Sequence, residues 1–385
     1  MIPQKKYIFI QNILTPYRIS FFNELEKKGF DFEVYYMREK EDDRDWIIDY
    51  KKIKYKYFLD NKGFYKMKGR YHFHFNPRLL FRVIKNRNSE FILGGSWNDL
   101  NVIFICILNR IKLVKTNSHF WSEANYLTIG AINDNKFKFY LRKFVFHSFK
   151  KGFVLCPGMM TKITFDKWKI KNENFVISPN TIDENLEQSN EIYLKNNSSL
   201  PVFFTPARIV ENIKGLINFF ENIGDLNCRK AIFKIAGDGP DKKKLRDYVI
   251  SNNLENNIIL LGFCNSDEVK NNYGESNAFF LPSFSDQSPL SLVEALAFGL
   301  PVLVSDRCGN HFEAVSKENG ILFNPHDPKD IRIKFEDFLS KRNKWEEMGD
   351  VSKKIFINCF SQDKVVNNMI NQIYDFEINN NIKIN

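Results

Sequence analysis

Residues 281–301 read LPSFSDQSPLSLVEALAFGLP, and this stretch decides the fold. The apolar run from Ala278 to Leu281 has the length and composition of a buried strand, the Pro, Ser and Asp that follow make a turn, and Leu290 to Phe298 carries the periodicity of an amphipathic helix. Strand, turn and helix in that order are the unit of a parallel sheet. Asp286 falls in the turn and Glu294, eight positions on, inside the helix. Between them, backbone N–H groups from Ser288 to Ser291 stand at the positive end of the helix dipole, where a phosphate or a hydroxyl-rich ring can be held. Two carboxylates add acceptors for hydroxyls, and such charge-assisted bonds are about twice as strong as neutral ones.

The same unit recurs on both sides. In the second half, VFFTP, IFKIAG, IILLG, AFFLP, PVLVS and ILFNP alternate with helical segments. In the first, YIFIQ, FEVYYM, FILGG, LVKTN, GFVLC and FVISPN do so. The polar segment from Glu187 to Ser199 separates the two runs. A chain of 385 residues exceeds one ordinary core. The expectation is an α/β protein of two doubly wound, Rossmann-like domains facing each other across a cleft. Residues 1–185 form the first, 186–200 the linker and 201–360 the second, with a tail at 361–385 whose helices cross back toward the first domain. The end from Ile378 is expected to fray. In such sheets ligands bind beyond the carboxyl ends of the strands.

Charge divides with the domains. Residues 1–185 hold 33 Lys and Arg against 19 Asp and Glu, whereas residues 186–385 hold 23 against 27. The excess peaks between 51 and 171, with 25 basic and 6 acidic residues interleaved with Phe, Tyr and Trp. A nucleic-acid surface, an anionic membrane surface and solvated lysines on a neutral fold all fit this pattern. No nucleic-acid-binding motif is visible to place bases. No apolar run reaches the roughly 18 residues of a spanning helix, and the start lacks a signal-peptide layout, which leads to the expectation of a cytosolic protein. The six cysteines are scattered without metal or redox spacing and read as reduced core residues. His72 and His74 in YHFHF alternate as strand neighbours with no carboxylate at ligand spacing, which argues against a metal site there.

Arg208 and Lys214, in PARIVENIKG, are two cations after the first strand of the second half, suited to a diphosphate or, as the alternative, to a surface Arg and a helix-start Lys. Gly237, Asp238, Gly239 and Pro240 make a strand-ending turn that lacks the dinucleotide-binding spacing. Taken in order, ARIVENIKG, AGDGPDKKKL, LLGF, the 281–301 stretch running on to DRCGN, and NGILFNP resemble the nucleotide-binding half of the retaining glycosyltransferases of family four, which have the GT-B fold. QNILTPYRISFFNEL, FILGGSW and GFVLCPGMMTKITFDKW in the first half are similar, more loosely, to members that build bacterial surface polysaccharides.

The resemblance implies roles for individual residues. Asp286 would bond hydroxyls of the donor sugar and Glu294 the nucleotide ribose, while Arg208 and Lys214 would hold the diphosphate. Ser288, Pro289, Leu290 and Ser291 would present the helix-start turn to the donor, with Pro289 giving no N–H, and Gly237, Gly262 and Phe263 would complete the donor pocket. His119, in NSHFWSEANY, would line the reaction centre, and Thr15, Tyr17, Arg18 and Glu123 the acceptor side. The resemblance further implies transfer of a hexose or N-acetylhexosamine, with retention, from a nucleoside diphosphate sugar, uridine rather than guanosine. The acceptor would be a hydroxyl of a lipid-diphosphate-linked glycan, in O-antigen or capsule synthesis, at the inner face of the cytoplasmic membrane, with no metal, no cofactor and no nucleic-acid partner. A sugar-nucleotide epimerase or phosphorylase of the same fold, or a silent nucleotide-sugar-binding protein, are the alternatives. Three departures stand out. The first acid is Asp where the family has Glu, the Arg-to-Lys interval is one residue longer, and Leu14 to Arg18 replaces a glycine-rich loop.

Overall fold

The structure, a computed structural model, describes residues 5–42, 48–68, 71–114, 118–128, 136–171, 174–182 and 199–382. The segment expected as a linker falls almost wholly outside these residues. Seven strands, β1 (Tyr7–Ile13), β2 (Phe32–Arg38), β3 (Tyr57–Leu59), β6 (Glu90–Leu93), β7 (Ser118–Trp121), β8 (Val154–Cys156) and β9 (Phe175–Ile177), form a parallel sheet ordered β3-β2-β1-β6-β7-β8-β9. Alternate side chains of β1 explain its central place. Tyr7 and Phe9 face one buried cluster with Phe22 and Phe32, while Ile8 and Ile10 face another with Leu79 and Ile105. A strand buried on both faces must be apolar at every position, and each such side chain contributes roughly 1.5–3 kcal/mol on burial.

The second sheet, also parallel, is ordered β12-β11-β10-β13-β14-β15. Its strands are β10 (Val202–Pro206), β11 (Ile232–Ala236), β12 (Ile258–Gly262), β13 (Ala278–Leu281), β14 (Val302–Ser305) and β15 (Gly320–Phe323). Phe203, Phe233 and Phe280 from three neighbouring strands pack with Phe219 and Phe335 from the covering helices. In both domains the strand order reverses once, between β1 and β6 and between β10 and β13. Those two switch points are where loops part and leave a crevice.

Several features depart from the sequence reading. The strand expected at LVKTN is found one segment later, as β7, with Leu113 and Val114 outside any strand and residues 115–117 outside the described residues. The segment containing YHFHF pairs with Phe64–Lys68 as an antiparallel hairpin, β4 (Phe64–Lys68) and β5 (Tyr71–Phe75), outside the parallel sheet. The last helix, Gln362–Ile382, continues four residues beyond the point where fraying was expected. Its Val365, Val366, Met369, Ile370 and Ile373 recur at helical spacing and bury against Phe9, Phe22 and Phe30 of the first domain. Tyr7 Oη donates to Glu377 at 2.5 Å, and Gln372 bonds both the N–H (2.9 Å) and the C=O (3.1 Å) of Ile177 on edge strand β9. The tail thus does cross back, and these bonds hold its far end in helix.

Candidate active site

The site residues of the second domain come from the two loops at its switch point. The loop after β10 is held against the GDGP turn by Ala207 N–H to Ala236 O and Ile209 N–H to Asp238 O, each 2.8 Å. This requires glycine at 237, where φ is +144° and a Cβ would run into the carbonyl of Ala207. Gly237 therefore serves the backbone, and it brings the exposed Arg208 to the carboxyl end of β10. Gly262 lies beside it, its carbonyl accepting from Gly237 N at 2.6 Å, and Phe263 projects into solvent at 77% exposure.

Two helical pieces follow this loop, separated by a single residue. Gly215 takes φ +61° between Glu211–Lys214 and Leu216–Ile223, in a space where a Cβ would lie 2.8 Å from Pro282 O. The Glu211 carboxylate accepts from Ile217 and Asn218 N–H, both at 2.9 Å, capping the second piece. This break leaves Lys214 at the end of a single turn, with its Nζ 2.5 Å from Asp286 Oδ2. The cation and the first acid, 72 residues apart in sequence, are thus one ion pair, 18% and 17% exposed at their side chains.

Asp286 itself is fixed by main chain. It bridges in parallel to Cys308, and its carbonyl accepts from Gly309 N at 2.9 Å. Four residues on, the Leu290–Ala297 helix begins at Pro289 with no side-chain cap. The opening N–H groups, from Leu290 and Ser291 onward, have no partner within the helix, and Pro289 supplies none. Ser288 lies just before this turn. Glu294 sits one turn in, half-buried, with Oε2 2.9 Å from Tyr273 Oη, which also lies 2.8 Å from Ser291 O. Burial pushes the Glu294 carboxyl up to about 7, against a smaller opposing pull from the Tyr273 hydroxyl. Tyr273 has one hydroxyl hydrogen for two acceptors, so a proton on Glu294 lets both bonds form at once.

Across the cleft, Arg18 and Glu123 form an ion pair at 2.8 Å. The Arg18 guanidinium also bonds Asn180 Oδ1 at 3.1 Å and stacks on the Trp121 ring at 3.9 Å, with Tyr17 alongside. Thr15 is used as a helix cap, its Oγ1 accepting from Arg18 N. Asn180 is the residue that sequence reading missed here, although it ends the quoted FVISPN segment.

His119 is placed elsewhere than expected. It sits at the second of four positions in β7, 1% exposed, stacked on Phe153 at 3.9 Å, with Nδ1 accepting from Phe153 N at 3.0 Å and Nε2 3.3 Å from Glu90. Burial lowers its pKa, opposed by Glu90. A histidine two residues short of the strand end points into the core, so His119 does not line the cleft. His74 likewise meets carboxylates that spacing did not show, Glu41 at 3.5 Å and Asp99 at 3.4 Å. Among the described residues no group of three or more His, Cys, Asp or Glu side chains is arranged to hold a metal ion.

Among the described residues, Asn125 and Glu313 each carry side-chain hydrogen bonds from one domain to the other. Asn125, just past β7, donates its side-chain amide to the carbonyls of both Asp286 and Arg307 at 3.2 Å. Glu313, in the His311–Ala314 helix, accepts the N–H of Met159 at 2.7 Å, at the start of the Met159–Lys167 helix. Neither residue carried a signal in sequence, because each acts on backbone in the other domain.

This geometry has relatives. Residues 187–355, under half of the chain, match the family model of the glycosyl transferases group 1, and the chain has the GT-B architecture of two parallel-sheet domains. Among relatives, an Escherichia coli UDP-Gal:alpha-D-GlcNAc-diphosphoundecaprenol alpha-1,3-galactosyltransferase is 34% identical over 25% of each chain. An uncharacterized glycosyltransferase of Methanocaldococcus jannaschii is 29% identical over 40% of this chain and 42% of its own. Such matches span about half the length of the curated relatives or less. Of solved structures, the lipopolysaccharide outer core galactosyltransferase WaaB superposes with TM-score 0.70 at 16% identity, over 96% of this chain and 99% of the other. Anabaena HepE in complex with UDP and glucose does so at 0.70 and 12%, over 96% and 100%.

Proposed function

We propose that the protein transfers a hexose or N-acetylhexosamine, with retention of configuration, from a nucleoside diphosphate sugar to a hydroxyl of a lipid-diphosphate-linked glycan in surface-polysaccharide synthesis. The observation that carries this reading is the meeting of Arg208, Lys214, Asp286 and the uncapped Leu290–Ala297 helix start at one switch point. That set offers cations and N–H groups for a diphosphate and carboxylates for hydroxyls, so catalysis would be chiefly electrostatic and positional. Arg208 and the helix amides would take charge developing on the departing diphosphate. Lys214 would share itself between that charge and Asp286, fixing the acid that orients the sugar. Glu294, once ionised, would accept from ribose hydroxyls. The relatives support the substrate classes, since one is named for a uridine diphosphate sugar and a diphosphoundecaprenol acceptor, and one neighbour holds UDP and glucose. Uridine is therefore the base proposed.

The membrane part of the proposal rests on one face of the first domain. The β4–β5 hairpin and the Pro77–Lys85, Leu100–Arg110 and Lys136–Ser148 helices are neighbours there, and they expose Phe64, Phe81, Phe104, Phe137 and Tyr140 between Lys66, Arg78, Arg82, Lys85, Arg110 and Lys143. Apolar rings set among cations suit a layer of anionic headgroups. No helix among the described residues is long and apolar enough to cross a membrane, so contact would be peripheral, and the inner face of the cytoplasmic membrane is the proposed place.

A donor screen tests the whole. Thermal shift with uridine, guanosine and thymidine diphosphate sugars should single out uridine, because a bound ligand stabilises by mass action. Proton NMR of the product made from the selected donor then reads the anomeric configuration. An inverted linkage would remove retention, and a changed sugar without acceptor would turn the reading to an epimerase.

A further inference from the structure

The two interdomain contacts share one element of the second domain. Asp286, Arg307, Gly309 and Glu313 lie on the 286 loop and on the segment from β14 through His311–Ala314, bound to each other by Gly309 N–H to Asp286 O. Asn125 and Met159 reach this element from the ends of β7 and β8, which are adjacent strands. Asn125 is buried and pre-set, its Oδ1 accepting from Leu127 N at 2.9 Å and its own carbonyl accepting from Thr128 Oγ1 at 2.8 Å. That leaves the amide hydrogens for the partner domain alone. The Asp286 carbonyl therefore accepts twice, from inside its own domain and from across the cleft.

The second contact is sterically exacting. The three atoms nearest a Cβ built on Gly158 all belong to the Glu313 carboxylate, which would have to move. The Gly158 backbone is extended, with φ 166°, a conformation open to any residue, so glycine is needed there only because the other domain approaches. Burial raises the Glu313 pKa, partly offset by the Met159 N–H. Its contact with a backbone N–H needs only an acceptor oxygen.

We propose that Asn125 and Glu313 are positioning residues, forming a latch that sets the Asp286 loop in its working position only when the two domains close. The inference rests on the transferase reading above for its kinetic consequence, and on geometry alone for closure. Donor nucleotide binds to groups of the second domain, which the latch does not touch. The reacting sugar is oriented by Asp286, whose main chain the latch holds. Turnover then depends on the latch while nucleotide affinity does not, as expected where closure completes a site.

The test uses the full chain with Asn125→Asp, Gly158→Ala and the double variant Gly158→Ala/Glu313→Ala. Asn125→Asp keeps the local turn and turns a carboxylate toward two carbonyls. Gly158→Ala adds one methyl at the interdomain contact. Each should lower kcat at saturating substrates by about tenfold to a hundredfold, since misplacement of about 1 Å costs that much. UDP affinity by calorimetry should stay within about twofold, melting temperature should hold, and small-angle scattering should show a larger radius of gyration. The double variant relieves the crowding but also removes the acceptor of the Met159 N–H, so it should stay below wild-type kcat and lose little beyond Gly158→Ala, a non-additivity expected of two changes at one contact. Unchanged kcat and scattering in both single variants, loss of UDP affinity in step with kcat, or a double variant with wild-type kcat would overturn the latch. If no donor and acceptor pair is turned over by the wild-type chain, the transferase reading fails. Scattering and UDP titration of the same variants still decide the latch in that case.

Discussion

Both domains are parallel sheets between helices, and each has a switch point, β1 beside β6 in the first and β10 beside β13 in the second. What stands at the carboxyl ends differs. The second domain presents charge: an exposed Arg208, the Lys214–Asp286 pair and an uncapped helix start. In the first domain the corresponding charge is already spent internally, with Arg18 tied to Glu123 and Asn180 and laid on Trp121. Six of its exposed cations, Lys66, Arg78, Arg82, Lys85, Arg110 and Lys143, lie instead among exposed aromatic rings on the hairpin and its neighbouring helices. One architecture thus carries an exposed Arg beside an ion pair and an uncapped helix start in one copy, and in the other an internally bonded Arg18 and a cationic apolar flank.

The largest expected effect tests the charged mouth. Arg208→Ala and Asp286→Ala should each lower kcat/KM by about a hundredfold or more, the scale of losing a group that acts on developing charge, with circular dichroism and melting unchanged. Near-normal rates in both would break the contrast between the domains. The core of the first domain should respond in the opposite way. His119→Ala removes a buried ring and strands Glu90, and denaturant unfolding should show a loss of about 2–4 kcal/mol, whereas kcat of the folded fraction should barely move. A large fall in kcat at unchanged stability would return His119 to the site.

Glu294 sharpens the comparison through pH. Its carboxyl is raised from an ordinary 4.5 to about 7, so it is neutral below that and ionised above. UDP affinity should rise with pH up to about 7 and level off, by as much as about tenfold per pH unit on the rising limb. Glu294→Gln should flatten the profile, and a wild-type profile flat from pH 5 to 8 would deny Glu294 that part. The same shift makes the folded state hold a proton that the unfolded chain loses, so its contribution to stability is full below about 4.5 and falls as pH rises toward 7. The smallest effect concerns the flank. Replacing Phe81 and Phe137 by Ser should weaken flotation with anionic vesicles several-fold and leave turnover of a soluble acceptor intact, and added salt should weaken it further. Equal binding to neutral vesicles would undo the electrostatic account.

Much of the fold was legible, and the reasons are local. Strands such as AFFL and VLVS are apolar throughout because both sheet faces are covered, and the 281–301 stretch carries strand, turn and helix signals in one run. Arg208, Lys214, Asp286 and Glu294 were singled out because they stand after strand ends in the motifs that carry the resemblance, and the structure joins two of them, Lys214 and Asp286, in one ion pair. His119 was misplaced for the complementary reason: the pattern finds a strand but not how far along it a residue lies, and two positions separate the core from the mouth. Asn125 and Glu313 were invisible because an Asn and a Glu in loops have many ordinary uses. Their partners are main-chain groups more than 150 residues away. The hairpin lies outside the alternation of strands and helices that served elsewhere, and the tail's extent depends on Tyr7 and Ile177, 370 and 195 residues from their partners in sequence.

The returning tail has a mechanical consequence. Because the Gln362–Ile382 helix is packed on the first domain, the second domain is a loop of chain anchored at both its entry and its exit. A body held at two points cannot swivel freely; it turns about the line between them. Substitutions at Ser361, where the backbone leaves the helical region between the last two helical segments, would then act on the return of the chain to the first domain without touching either crevice.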